Sequence, residues 1–168
     1  MTASPAEVFS RLSNGVYVIG VAHGSQANAF TAAWLTQVSF APLLVALSVH
    51  PDHASYPLLT ASGLFGVSVL GRGQLELARR FGTRSGRELD KLAGVAWRRG
   101  SLGAPLLLEA AAWLECRVVE TMPSGDHELV VARAVGGAVR EASLAPMAYA
   151  DTGNLDGSEA LYPPAFPT

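Results

Sequence analysis

Short runs of β-branched and aromatic residues, each closed by a turn signal, limit what this chain can become. Val16-Tyr17-Val18-Ile19-Gly20-Val21 is one such run, and His23-Gly24-Ser25-Gln26 supplies a turn after it. Leu43 to Val49 is a continuous apolar run, which predicts a strand buried on both faces. Leu64 to Leu70 predicts another strand. Between Glu109 and Glu120 the alanines favour helix, whereas Trp113, Cys116, Val118 and Val119 favour strand. Pro123-Ser124-Gly125-Asp126 then marks a hairpin turn into a strand from Glu128 to Val135, so a strand pair is the preferred reading.

Helix signals are few and short. Ser4-Pro5-Ala6-Glu7 reads as a helix start with a capping box, stopping near Ser13-Asn14-Gly15. Ser55 to Ala61 and Gln74 to Phe81 predict two more short helices. Residues 82–103 hold seven charged side chains and five glycines, and read as a surface excursion with one short strand at Val95-Ala96-Trp97. Strands and helices do not alternate in the second half, as a parallel sheet would require. The pattern predicts a mainly β fold, an antiparallel barrel with helical insertions. Residues 1–150 make one domain on this reading, and the Gly- and Pro-containing stretch 151–168 is an extended tail of the same domain. No internal repeat or low-complexity segment interrupts it.

Composition narrows the function classes. A chain of 168 residues suits one domain. Its residues are 49% apolar and only 15% charged, against about 25% charged in ordinary globular chains. That balance excludes disorder and points to apolar surface buried against another subunit or a cofactor. The net charge is −2 and no Lys/Arg run is present, so nucleic acid is not an expected partner. A single cysteine, Cys116, cannot make an internal disulfide or a cysteine-built metal site. Residues 1–14 carry Glu7 and Arg11 without a continuous apolar stretch, and no window reaches 18 uncharged apolar residues. A cytoplasmic protein without a membrane span is expected.

Several motifs fail. Gly71-Arg72-Gly73-Gln74-Leu75-Glu76 begins like a dinucleotide fingerprint, but Glu76 stands where the third glycine belongs. Gly66-Val67-Ser68-Val69-Leu70 is not a nucleophile elbow, because it ends in Leu70. Cys116 sits in an apolar run and reads as an inert buried thiol. His50-Pro51-Asp52-His53 clusters ligand types, yet reads better as a polar loop than as a metal site. His127 borders the predicted hairpin turn.

Residues 28–55 are the informative region. Asn28, Thr31, Thr36, Gln37, Ser39 and Ser48 are polar groups set among apolar residues. Buried polar groups need partners. Either these satisfy one another and the backbone, or they line a slot for a polar planar cofactor, with Ala32 and Ala33 leaving room for a ring.

Asn28-Ala29-Phe30-Thr31-Ala32-Ala33-Trp34, followed by Thr36-Gln37-Val38-Ser39-Phe40-Ala41-Pro42-Leu43, resembles the signature segment of the flavin reductase-like, FMN-binding split-barrel family. Further matches follow in order: Phe65 to Leu70, Leu77 to Gly82, Gly103 to Leu107, Leu114 to Val119, and Gly125-Asp126-His127. Together they cover residues 7–150.

The resemblance implies a homodimeric Greek-key split barrel with flavin at or near the dimer interface. It also implies hydride transfer from NADH or NADPH to FMN, with FAD as the other candidate flavin. Many relatives pass reduced flavin to a partner oxygenase. Since the flavin is the reactive group, no catalytic side chain and no metal are expected. By the same resemblance Asn28, Phe30, Thr31, Ala32, Ala33, Trp34 and Thr36 lie along the ring. Ser48 and Val49 continue the wall, His53 and Ser55 lie toward the phosphate, Phe81 packs close to the flavin or across the interface, and His127 faces the nicotinamide. Many relatives carry Lys or Arg near the position of Ser55, but here the loop reads Pro51-Asp52-His53-Ala54. A partial charge on His53, or Arg79 or Arg80, is expected to take that role. Two further functions compete: a flavin-binding electron-transfer protein or oxidase without pyridine-nucleotide turnover, and a non-enzymatic dimeric module whose slot is filled by side chains.

Overall fold

The computed structural model describes residues 3–167. Nine strands and three short α-helices follow the chain in this order: α1 Pro5–Phe9, β1 Tyr17–His23, β2 Gln26–Ala32, β3 Leu35–Ser39, β4 Leu44–Val49, α2 Tyr56–Ser62, β5 Leu64–Val69, α3 Leu75–Gly82, β6 Trp97–Arg99, β7 Pro105–Leu107, β8 Ala112–Ser124 and β9 His127–Val139. The capping box is present: the Glu7 amide donates to Ser4 Oγ at 3.3 Å, and the Ser4 amide to Glu7 Oε2 at 2.7 Å. The ambiguous stretch after Glu109 is strand. Its partner across the Gly125-Asp126 turn holds Ser124 opposite His127. Cross-strand pairing of the β-branched residues outweighs the helix preference of the alanines.

Seven strands form one antiparallel sheet in the order β2-β1-β5-β8-β9-β4-β3. Its two edges, β2 and β3, are joined by Ala33 and Trp34 alone, so the sheet must curl to bring its ends together. All seven strands contribute to one inner core, including Ile19, Phe30, Leu35, Leu47, Val67, Cys116 and Val130, with Leu59 of α2 added. A second core lies outside, where Val16, Val18 and Ala29 meet Phe81 of α3, Leu106 and Leu107 of β7, and Trp113. Alternate residues of β1 therefore enter different cores, which explains its unbroken apolar run. Leu44–Val49 is likewise buried along most of both faces.

Gly20 and Gly66 oppose each other in the β1–β5 ladder. The β7 strand crosses over this pair, and a methyl group on either glycine would run into Pro105 or Leu106. The tail differs from the extended segment expected. Tyr149–Thr152 and Ser158–Leu161 are 3-10 turns. Leu155 packs against the outer core, and the Phe9 and Tyr162 rings meet at 5.5 Å. No described helix is long and apolar enough to cross a membrane.

Candidate functional site

The β4–β9 ladder places Val49 opposite Glu128. It therefore brings the loop after β4 beside the turn before β9, and sets His50 near His127 although 77 positions separate them. Their rings meet edge-on with centroids 5.2 Å apart. The Ser48 amide donates to the Trp34 carbonyl at 2.9 Å, which ties the β2–β3 link to β4. Trp34 then lies 5.0 Å from the His127 ring.

These elements bound a cleft of about 350 Å³. Its floor is the end of β2 and the link after it, Phe30 to Trp34, continued by Ser48 and Val49. His50 and His53 close one side, and Asp126 and His127 another. The tail contributes a further part of the lining: Tyr149, Asp156, Ser158, Leu161 and Tyr162. Among the described residues no cluster of three or more His, Cys, Asp or Glu side chains is arranged to hold a metal ion.

Nine of the expected contacts meet at this cleft: Phe30, Thr31, Ala32, Ala33, Trp34, Ser48, Val49, His53 and His127. Four do not line it. Asn28 accepts from the Ala29 amide at 2.8 Å and lines a neighbouring cleft with Ala54 and Arg87. Thr36 is exposed on the edge strand β3. Phe81 is fully buried in the outer core. Ser55 is also fully buried, at the N-cap of α2. Thr31 lines the cleft, but its hydroxyl proton is committed to the Ala78 carbonyl at 2.8 Å, which leaves the oxygen as an acceptor only.

The loop carries unusual electrostatics. Burial, then the charges of Lys91, Arg87 and His50, push the pKa of His53 down to about 4. Its ring is neutral at pH 7 and cannot supply the partial charge expected of it. Arg79 pairs with Glu76 at 3.4 Å on the surface. Arg80 is spent on the carbonyls of Lys91 and Ala93. The positive charges near the loop come instead from the excursion. Arg87 donates to the Asp52 carbonyl at 2.9 Å. Lys91 is 1% exposed and donates to the Phe81 carbonyl at 3.0 Å. Burial pulls its pKa down to about 8.

Sequence reasoning assigned these two residues to a solvated surface. One signal was available: of the twelve basic side chains, Lys91 is the only lysine. The tail, Asp151 to Thr168, stands out in sequence as a continuation past the last strand that could cover the site or wrap a partner subunit, but nothing local assigns its individual residues to the cleft.

One atom tests whether a flavin suits this site. Ser55 Oγ is buried and has no hydrogen-bond partner. A buried orphan hydroxyl costs about 1–3 kcal/mol unless a ligand satisfies it. With Lys91 and Arg87 bearing on the same loop, the polar groups fit an anionic end, and the narrow alanine floor fits a planar one.

The family profile of the flavin reductase like domain matches residues 9–157. The chain belongs to this family. It is 32% identical over 139 residues to the reductase subunit HsaB of a flavin-dependent monooxygenase from Mycobacterium tuberculosis, covering 83% of this chain and 70% of HsaB. It is 32% identical over 137 residues to diflavin flavoprotein A 1 of Synechocystis sp., covering 81% of this chain and 24% of that protein. It thus spans about a quarter of the length of such diflavin relatives. Among solved structures, the NADH:FAD oxidoreductase SgcE6 of Streptomyces globisporus C-1027 matches with a TM-score of 0.79 and 34% identity, covering 86% of each chain.

Proposed function

We propose that this chain is an NAD(P)H-dependent flavin reductase that uses FMN. The observation that carries the reading is the buried Ser55 hydroxyl without a hydrogen-bond partner, in the loop that enters the cleft at His53 and on which Arg87 and Lys91 bear, with Trp34 and His127 lining that cleft.

When bound, the flavin supplies the hydride-accepting chemistry. The residues of the chain hold and orient. Ala32, Ala33 and the backbone of the link would lie along the ring. Ser48 and Val49 would continue that wall, and neutral His53 would stack beside Phe30. The Ser55 hydroxyl would donate to the phosphate, with Lys91 and Arg87 balancing its charge. Asp126 Oδ1 lies 2.7 Å from His127 Nδ1 and orients that imidazole at the open end, where the nicotinamide would enter.

The reading includes a homodimer. Trp34, Val38, Phe40 and Leu43 form an exposed apolar stretch in and around the edge strand β3, and Phe40 is 86% exposed. Such a stretch suits a second copy better than water. A closed Greek-key barrel, one domain over residues 1–150 with residues 151–168 as its tail, and an oxygenase that receives reduced flavin complete the proposal. The likeness to HsaB supports the last.

Anaerobic NADH and NADPH, added in turn to the protein with FMN, should bleach the flavin absorption. Tight FMN binding without bleaching by either nucleotide would replace this reading with an electron-transfer or oxidase role. Failure to bind FMN or FAD would leave the non-enzymatic module.

A further inference from the structure

The tail brings a carboxylate, Asp156, into the lining of the cleft. Tyr149 Oη donates to the Asp156 carboxylate, with distances of 2.9 and 3.0 Å to its two oxygens, and stands 2.7 Å from Ser158 Oγ. The Ser158 amide donates to Asp156 Oδ1 at 3.1 Å. Asp156 is therefore held in place although it is exposed. The Tyr149 amide in turn donates to the Asn14 carbonyl at 2.8 Å, which anchors the start of the tail to the body.

Charge along the cleft is uneven. Its lining holds the carboxylates of Asp126 and Asp156 and contains no Lys or Arg. The pKa of Asp126 is lowered by its hydrogen bond to His127 and then by that ring's charge, so it is ionised at pH 7. His53 is neutral there. Arg87 and Lys91 bear on the loop at His53, and Arg72 lies 3.7 Å from Asp151 of the tail.

We propose that Asp156, positioned by Tyr149, makes this cleft select NADH over NADPH. The inference rests on the reductase reading and deepens it. A ribose 2′-hydroxyl is a donor that a fixed carboxylate accepts, whereas a 2′-phosphate is a second anion set against it, with no Lys or Arg in the lining to offset it. A doubly charged phosphate near one carboxylate on a solvated wall loses about tenfold or more in affinity.

The test measures kcat/KM for both nucleotides with FMN, and the affinities of NAD+ and NADP+ by tryptophan fluorescence, on wild type, Asp156→Asn and Tyr149→Phe. The expected wild-type preference is about tenfold or more for NADH. Asp156→Asn should shrink it severalfold, through a lower NADPH KM and tighter NADP+ binding. Tyr149→Phe should move the ratio the same way, because it frees the carboxylate. Raising the salt concentration should also shrink the wild-type ratio. Equal use of both nucleotides, or a ratio unmoved by Asp156→Asn, overturns the proposal and leaves the reductase reading standing. If neither nucleotide is oxidised, the reductase reading falls, and the ratio of NAD+ to NADP+ affinity still decides the role of Asp156: a preference for NAD+ supports it, and equal or absent binding overturns it.

Discussion

The His53 imidazole rests against the Phe30 ring, with centroids 4.6 Å apart and planes tilted by 43°. Its Nδ1 accepts from the Ser55 amide at 3.3 Å, so the neutral ring also helps set the start of α2. Protonation works against both the burial and the nearby cations.

Stability should therefore depend on pH through this residue. The folded pKa of about 4 lies below the ordinary 6.5. Between those values the unfolded chain takes up a proton that the folded chain refuses. The contribution is fully present above pH 6.5 and is lost as the pH falls through 4. Allowing for solvent screening on its open side, about 1–2 kcal/mol is at stake. Urea midpoints at pH 7, 5 and 4 should show the fall, and His53→Phe should flatten it. A variant with the wild-type profile would refute the assignment.

Lys91 should trade stability for affinity. At pH 7 it is charged in both states, because its folded pKa is about 8 and its ordinary one 10.5. The folded state thus carries the desolvation cost. Lys91→Met should leave the melting temperature unchanged or higher, while the FMN dissociation constant rises about tenfold. As the only lysine, it should give one side-chain signal when the protein is expressed with carbon-labelled lysine, and that signal should titrate at a higher pH once FMN is added. Parallel loss of stability and affinity would mark Lys91 as a structural residue only.

His127→Ala should separate the two ligands. The ring lines the cleft beside Trp34 and His50, whereas the Ser55 side chain is fully buried and lines no part of it. The nucleotide kcat/KM should fall about tenfold, the worth of one hydrogen bond to a charged or oriented partner, while FMN affinity changes less. Calorimetry with FMN beside steady-state kinetics measures both, and an equal loss in each would sink the assignment.

Gly20→Ala should be among the costlier small substitutions. Its methyl would meet the backbone of Pro105, which cannot swing aside as a flexible side chain can. A cost of about 2–3 kcal/mol is expected from overpacking. Gly24→Ala makes the contrast, since Gly24 has φ +59° but open space around it, and should cost about 1 kcal/mol. Urea denaturation of the two variants gives the comparison. Equal costs would mean that β7 crosses loosely.

Much of this was legible in local pattern. Val16–Val21 and Leu43–Val49 announce strands because nearest-neighbour residue type decides extended backbone and two-sided burial. Ser4 and Glu7 announce a cap because their partners lie three residues apart. The floor of the cleft was legible too, since Phe30 to Trp34 is one contiguous segment. Lys91 was not, because a charge among glycines looks the same in sequence whether solvent or protein surrounds it. Nor were the engagement of Thr31 with Ala78 and the spending of Arg80 on Lys91 and Ala93.

The amino-acid sequence by itself determined β1, β4 and β5, the β8–β9 hairpin at Gly125, the short helices and the family to which the chain belongs. These follow from residue types a few positions apart. The tertiary structure alone decided that Ser55 is an orphan donor, that Arg87 and Lys91 supply the charge at the loop, and that Asp156 lines the same cleft as Trp34. Those facts depend on which distant segments the curled sheet brings together, and on how much water the meeting excludes. Neither is encoded at any one position.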